Sequence, residues 1–176
     1  KKIMNIKNIF LRKPLFYKCL KSFSKKINYK IRKSSFLVIG GAGTIGQATT
    51  REIFIRNPKK LHVIDISENN LVELVRDLRS SIGYTTGDFK TFVIDCRSEL
   101  FKTFFNAQGP YDYVLNLSAL KHVRSERDIY SSIRMVSTNV LNTEKVIKLS
   151  IKSKVKNFFS VSTDKASNPI NLMGCS

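Results

Sequence analysis

The chain has 176 residues, 42% of them hydrophobic, which suits one domain with a proper core and includes no apolar run of membrane-spanning length. The formal net charge is +18, yet residues 1–34 hold twelve Lys/Arg and no Asp or Glu, and the remaining 19 basic and 13 acidic residues leave only +6. The excess therefore sits in a leader, and with no recognised module beside it a nucleic-acid partner is not expected.

The leader, residues 1–34, spaces Phe16, Leu20, Phe23, Ile27 and Ile31 by four and three, along one helical face. The expectation is an amphipathic helix with a solvated Lys face, packed on a neighbouring domain or subunit. An anionic-membrane contact, a targeting segment and a nucleic-acid arm are the alternatives. Lysines interrupt every candidate secretory core. Cys19, Cys96 and Cys175 form no CxxC pair, which excludes a disulfide framework and a zinc site and fits a reducing, cytoplasmic compartment. His62 and His122 offer no metal-ligand spacing, so no metal is expected.

From residue 35 to 176 the pattern is regular. SFLVIG (35–40) reads as a fully buried strand, and residues 44–57 as a helix closed by Asn57-Pro58. KLHVIDI (60–66) is a second strand. Residues 67–83 form a helix capped by Ser67, with Leu71, Leu74, Val75 and Leu78 facing in and Gly83 as the stop. TFVID (91–95) is a third strand, followed by a helix over 97–107 with Leu100, Phe104 and Phe105 inward. YDYVLNLSA (111–119) is a fourth strand. A long helix over 129–152 turns Val136, Val140, Val146, Ile147 and Ile151 to the core, and VKNFFSVS (155–162) is a fifth strand. Strands alternating with helices predict right-handed parallel crossovers and a doubly wound α/β sheet. Such sheets bind ligands at the carboxyl ends of their strands.

The first strand runs into Gly40-Gly41-Ala42-Gly43-Thr44-Ile45-Gly46, which satisfies both GxGxxG and GxxGxxG. A strand before it, a helix after it and Asp65 ending the next strand match a dinucleotide-binding loop. Glycines allow the tight turn and the close approach of a pyrophosphate, and the helix N-terminus offers N–H groups to the anion. Asp65 would accept from the ribose hydroxyls and repel a 2′-phosphate, favouring NAD slightly over NADP, with Lys59 and Lys60 near enough to offset this. Asp95 is placed either to reach the adenine or to start a turn.

The fourth strand ends in NLSALKHV (116–123) and the fifth in Thr163-Asp164-Lys165. With GGAGTIG (40–46), DISENNL (65–71), STNV (137–140) and STDKASNPINLMG (162–174), these motifs resemble the extended short-chain dehydrogenase/reductases of polysaccharide biosynthesis, specifically the nucleotide-sugar 4,6-dehydratases that act on UDP-N-acetylglucosamine. RKPLF (12–16) is similar to an extension of soluble members. The resemblance spans about residues 35–176 and implies a Rossmann fold, NAD or NADP, a UDP-sugar substrate, a homo-oligomer and a role in capsule or lipopolysaccharide synthesis.

The implied reaction oxidises the sugar at C4, removes the C5 proton, expels the C6 hydroxyl and returns the hydride to C6. Thr163 would hold the C4 oxygen, Lys165 would act as base at C5 with a lowered pKa, and Asp164 would act as acid with a raised one, the last two roles being exchangeable. The resemblance places Lys121, His122, Asn171 and Met173 around the substrate. The implied cofactor set is Gly40, Gly43, Thr44, Ile45, Gly46, Asp65, Asp95, Ser118, Ala119 and Asn139. Met173 stands where the wider family carries the tyrosine of its Tyr-x-x-x-Lys pair; some dehydratases share this Met, and the expected Lys would be residue 177. The chain opens on Lys1 and stops three residues after Met173, which reads as an N-terminal piece of a longer, and alone inactive, chain. A 4-epimerase or reductase on the same scaffold, and a non-catalytic NAD-binding module, are the other readings.

Overall fold

The computed structural model describes residues 16–121 and 128–176. Helix α1 (Tyr17–Arg32) leads into β1 (Ser35–Ile39), followed by α2 (Thr44–Phe54), β2 (Lys60–Asp65), α3 (Glu68–Ser81), β3 (Asp88–Val93), α4 (Glu99–Gln108) and β4 (Tyr113–Asn116). Helix α5 (Ile129–Val136) continues through a π segment, Ser137–Leu141, into α6 (Asn142–Lys152); β5 (Asn157–Ser160), a 3₁₀ turn at Asp164–Ala166 and the short α7 (Leu172–Cys175) complete the order. All strand pairs are parallel, in the order β3-β2-β1-β4-β5. This is the expected doubly wound sheet.

Side-chain alternation along the strands builds the two faces. Phe36 and Val38 of β1 and Leu61 and Val63 of β2 meet Ile53 and Phe54 of α2 and Leu71, Leu74 and Leu78 of α3. Leu37, Ile39 and Ile64 point the other way, against Phe101, Phe104 and Phe105 of α4 and Val146 and Leu149 of α6. Every residue of β1 is buried, as its continuous apolar run requires. Full burial of a side chain such as Phe101 contributes about 1.5–3 kcal/mol. Ser67 and Ser98 cap α3 and α4 by accepting from Asn70 N (3.4 Å) and Phe101 N (3.3 Å). The register between β1 and β4 is held by a reciprocal clamp: Ser35 N and Oγ donate to Asp112 Oδ2 (2.8 and 2.9 Å), and Asp112 N donates back to Ser35 Oγ (2.9 Å).

The fourth and fifth strands are shorter than the expected 111–119 and 155–162, and three further details differ from the sequence reading. The third strand starts three residues early and ends at Val93, because as an edge strand it alternates exposed and half-buried residues instead of running apolar. Leu100 is 60% exposed and Phe101 takes the inward place, since the Ser98 cap sets the phase of α4. On the long helix, Val140, Ile147 and Ile151 are exposed; Met135, Asn142, Val146 and Leu149 form the buried stripe. A polar Asn142 in that stripe, facing the buried Cys96 thiol, disguises it.

His62 is fully buried at the amino end of the sheet, beneath the α4 aromatics. Tyr111 donates to His62 Nδ1 (2.9 Å), so Nε2 carries the proton and donates to Asp88 (3.1 Å). Burial holds the imidazole below its ordinary value of 6.5, outweighing the neighbouring Asp88 carboxylate, so the contact is a neutral hydrogen bond and not an ion pair. The unfolded chain therefore takes up a proton first as pH falls through 6.5. Stability is full above that value and drops as pH descends toward the lower folded value. The melting temperature should fall between about pH 7.5 and 5.5, and His62→Gln should flatten that slope; an unchanged slope in the variant would assign the pH dependence elsewhere.

Candidate functional site

Helices α2 and α3 pack on one sheet face, α4 and α6 on the other, so the connections diverge between the neighbouring strands β1 and β4. A cleft opens there at the carboxyl ends of the strands, as the topology dictates. Gly40 and Gly43, Asp65, Asp95 and Arg97, Ser118 and Ala119, and Arg134 all line it.

The loop after β1 docks on β2: Gly40 N and Gly41 N both donate to Ile64 O (2.9 and 3.2 Å). Gly40 has φ +73°, and a Cβ there would lie 2.7 Å from Ser118 N. A Cβ on Gly46 would collide with the Gly40 carbonyl. Gly43, by contrast, is exposed, and a Cβ there would meet only ordinary contact at 3.5 Å. Among the described residues nothing fills the space above Gly43. Helix α2 starts at Thr44 with no side-chain cap, so the N–H groups of Thr44, Ile45 and Gly46 lack intrahelical partners. An exposed glycine before an uncapped eleven-residue helix fits a pyrophosphate.

Asp65 is fixed by the backbone. Its Oδ2 accepts from Ala42 N (3.0 Å) and its Oδ1 from Ser67 N (3.0 Å). A carboxylate has about four lone-pair sites, so both oxygens still have room for ribose hydroxyls. Lys60 stands at the far end of β2, where its Nζ donates to Gln108 O (2.8 Å). At about 3.3 Å per residue it is some 17 Å from Asp65 and cannot offset that charge, contrary to the sequence reading. Replacing Asp65 by alanine should strand the buried Ala42 N–H at about 1–3 kcal/mol and weaken binding of NAD; thermal melting and NAD titration read the two effects, and unchanged values in both would remove Asp65 from this role.

Asp95 starts a turn, accepting from Arg97 N (2.9 Å) and Ser98 N (3.0 Å) through side chain and backbone. The Arg97 guanidinium grips the carboxylate (Nε to Oδ1 3.0 Å, Nη2 to Oδ2 2.6 Å) and holds it below the usual carboxylate range. Arg97 and Arg134 were not singled out from the sequence; a D-x-R after a strand is the signal that finds the first. Asn116 was also missed. Its Oδ1 accepts from Ser118 Oγ (2.6 Å) and its Nδ2 donates to Thr143 (3.1 Å), setting the turn that carries Ser118 and Ala119. Cys96 is buried, which pushes its thiol up; its Sγ accepts from Asn142 Nδ2 (3.1 Å) and donates to Ser118 Oγ (3.9 Å), while Asn142 Oδ1 has no hydrogen-bond partner among the described residues.

Asn139, in the π segment, accepts from Leu120 N (2.9 Å) and donates to Leu120 O (3.0 Å) and Ser176 Oγ (3.0 Å). Its amide thus fixes the segment before Lys121 and ties it to the C-terminal segment. Lys121 is exposed, and His122 lies outside the described residues. Thr163, Asp164 and Lys165 follow β5, which pairs with β4, so they leave the same end of the sheet beside Ser118 and Ala119. All three are exposed. Thr163 Oγ1 donates to Asp164 Oδ1 (3.0 Å) and, with Lys165 nearby, lowers the Asp164 pKa. Asn171 caps α7 by accepting from Gly174 N (2.9 Å), and Met173 is buried.

A parallel, doubly wound sheet with a glycine turn at its switch point defines the dinucleotide-binding α/β class. Within it the chain belongs to the polysaccharide biosynthesis protein family, whose model matches residues 36–176. An uncharacterised membrane protein of Methanocaldococcus jannaschii is 34% identical over 81% of the chain and 40% of its own length. A UDP-N-acetylglucosamine 4,6-dehydratase (inverting) of Campylobacter jejuni is 28% identical over 81% and 40%; a UDP-glucose 4-epimerase of Rickettsia canadensis is 30% identical over the same shares. The crystal structure of Pen from Bacillus thuringiensis superposes with a TM-score of 0.70 at 31% identity, over 82% of this chain and 42% of that one. The chain thus spans about two fifths of the length of these relatives. Among the described residues no helix is long and apolar enough to cross a membrane.

Proposed function

We propose that the complete protein is an NAD-using nucleotide-sugar 4,6-dehydratase of surface-polysaccharide synthesis, acting on a UDP-sugar of the N-acetylglucosamine type. What supports this reading is Thr163-Asp164-Lys165 following β5 at the carboxyl end of the sheet, together with Met173, which by the resemblance stands where the wider family carries its tyrosine. A thioether moves no proton, so acid–base work falls to Asp164 and Lys165.

Gly43, the first-turn amides of α2 and Asp65 would hold the dinucleotide, which when bound supplies the acceptor for a hydride from sugar C4 and its return at C6. Thr163, which is exposed, would hold the C4 oxygen and pass its hydroxyl proton to water as the hydride leaves C4. Lys165, as the free amine, would take the C5 proton and return it to C5 once the hydride has reached C6, and Asp164 would give a proton to the departing C6 hydroxyl, which leaves as water. In the free chain Asp164 is exposed and its pKa is depressed, the reverse of what an acid needs. A bound sugar that displaces water and takes over the Thr163 hydroxyl removes the first cause of that depression.

The 30% identity to an enzyme named as a UDP-glucose 4-epimerase supports a second reading, inversion at C4. Incubating the complete protein with UDP-N-acetylglucosamine and following product mass separates them. Loss of one water is expected; unchanged mass with inverted C4 would replace dehydration by epimerisation. The exposed stripe of Ile133, Val140, Ile147 and Ile151 supports the expected homo-oligomer.

A further inference from the structure

Helix α1 is not accounted for by the dinucleotide site. It leads into β1 at the amino end of the sheet, opposite the cleft. At 100° per residue, Phe16, Leu20, Phe23, Ile27 and Ile31 fall within an arc of about 80°. Among the described residues only Ile27 and Ile31 find cover. Ile31 packs on the core, and with Ile27 it borders a groove made by Phe36, Ile53, Leu115 and Phe159. Phe16, Leu20 and Phe23 remain 70%, 53% and 56% exposed. The opposite arc carries Lys18, Lys21, Lys25 and Arg32, and the helix sequence contains no carboxylate. Lys18, Lys21, Lys25 and Lys26 form no ion pair among the described residues.

We propose that α1 is an interfacial helix that docks the protein on an anionic lipid surface. The stripe of Phe16, Leu20 and Phe23 enters the acyl boundary and the lysines engage the headgroups. Charge decides between this occupant and the others. A second copy would bring the same leader, twelve basic residues without one acidic partner, against itself. A nucleic acid would satisfy the lysines and leave the aromatic stripe in water. Anionic lipid takes both faces, and it leaves the cleft, at the other end of the sheet, open to solvent.

The test is sedimentation of the complete protein with vesicles of phosphatidylcholine containing a quarter phosphatidylglycerol, and with pure phosphatidylcholine. Binding to the anionic vesicles is expected to weaken at least about tenfold in the neutral ones, and to be lost near 1 M salt, where the Debye length is about 3 Å. Lys21→Gln and Lys25→Gln should each weaken it roughly fivefold. Leu20→Glu/Phe23→Glu, on exposed positions that leave the core intact, should abolish it with the melting temperature unchanged. No sedimentation, equal binding to both vesicles, or retention by the Leu20→Glu/Phe23→Glu variant would overturn the proposal. So would a dimer that this variant dissolves in the absence of vesicle binding, or an RNA complex that it retains while vesicles compete poorly.

Discussion

Lys165→Ala in the complete protein is expected to slow elimination by roughly 10²–10⁴ while leaving NAD affinity unchanged, the range that loss of one positioned proton-transfer group produces. Lys165 does not line the dinucleotide cleft, whose lining comes from the ends of β1 to β4 and from the segment before α6, so its removal is expected to spare cofactor binding. It is the second residue of the 3₁₀ turn that follows β5, and its backbone N–H donates to Thr163 Oγ1 (3.4 Å), an interaction an alanine keeps. Fold and turn should survive together. The measurement that isolates the base is incorporation of deuterium at sugar C5 in heavy water, which the variant should lose. Asp164→Asn should by contrast retain C5 exchange and slow only the loss of water. If Lys165→Ala turns over like the wild type, Lys165 is not the base; if the two variants swap phenotypes, the acid and base are exchanged.

Gly40→Val should lower the melting temperature by about 5 °C or more and weaken NAD binding at least about tenfold. Two costs combine. The left-handed backbone costs a non-glycine residue about 1–2 kcal/mol, and φ here is +73°. The new Cβ would lie 2.7–2.9 Å from the Ser118 and Leu117 backbone, and overpacking of this kind typically costs about 1–3 kcal/mol. Relief requires pushing the loop from the end of β4, which separates the two walls of the cleft. Gly40→Ala should rank between wild type and valine in both measurements. A valine variant that melts and binds like the parent would remove the steric argument for this glycine.

How much of this was readable in advance depended on the element. β1 and its loop were plain, because a strand buried on both faces must be apolar throughout and the glycine spacing has few other uses. β3 was misplaced by three residues because an edge strand shows alternation, which Asp88 and Lys90 blur. The long helix was recognised, but its most hydrophobic stripe faces outward and its core stripe contains Asn142. Hydrophobicity alone cannot choose between them when a polar residue is buried against a thiol. In the cleft, the glycines, Asp65, Ser118 and Ala119 follow from chain position relative to strand ends. Arg97 and Asn116 act through contacts two residues away, Arg97 back to Asp95 and Asn116 forward to Ser118, and turns of that kind leave only a short, common sequence trace.

The clamp between Ser35 and Asp112 spans 77 residues of chain, and it has a kinetic consequence. β1 is hydrogen-bonded on both edges, yet its second neighbour is complete only when Asn116 has been made. At synthesis rates of about 5–20 residues per second, the central strand waits roughly 2.5–10 s with one edge open after β2 is made. β1 is thus the first strand translated yet is fully paired only after β2, and this interval is when the nascent chain is most exposed to mispairing.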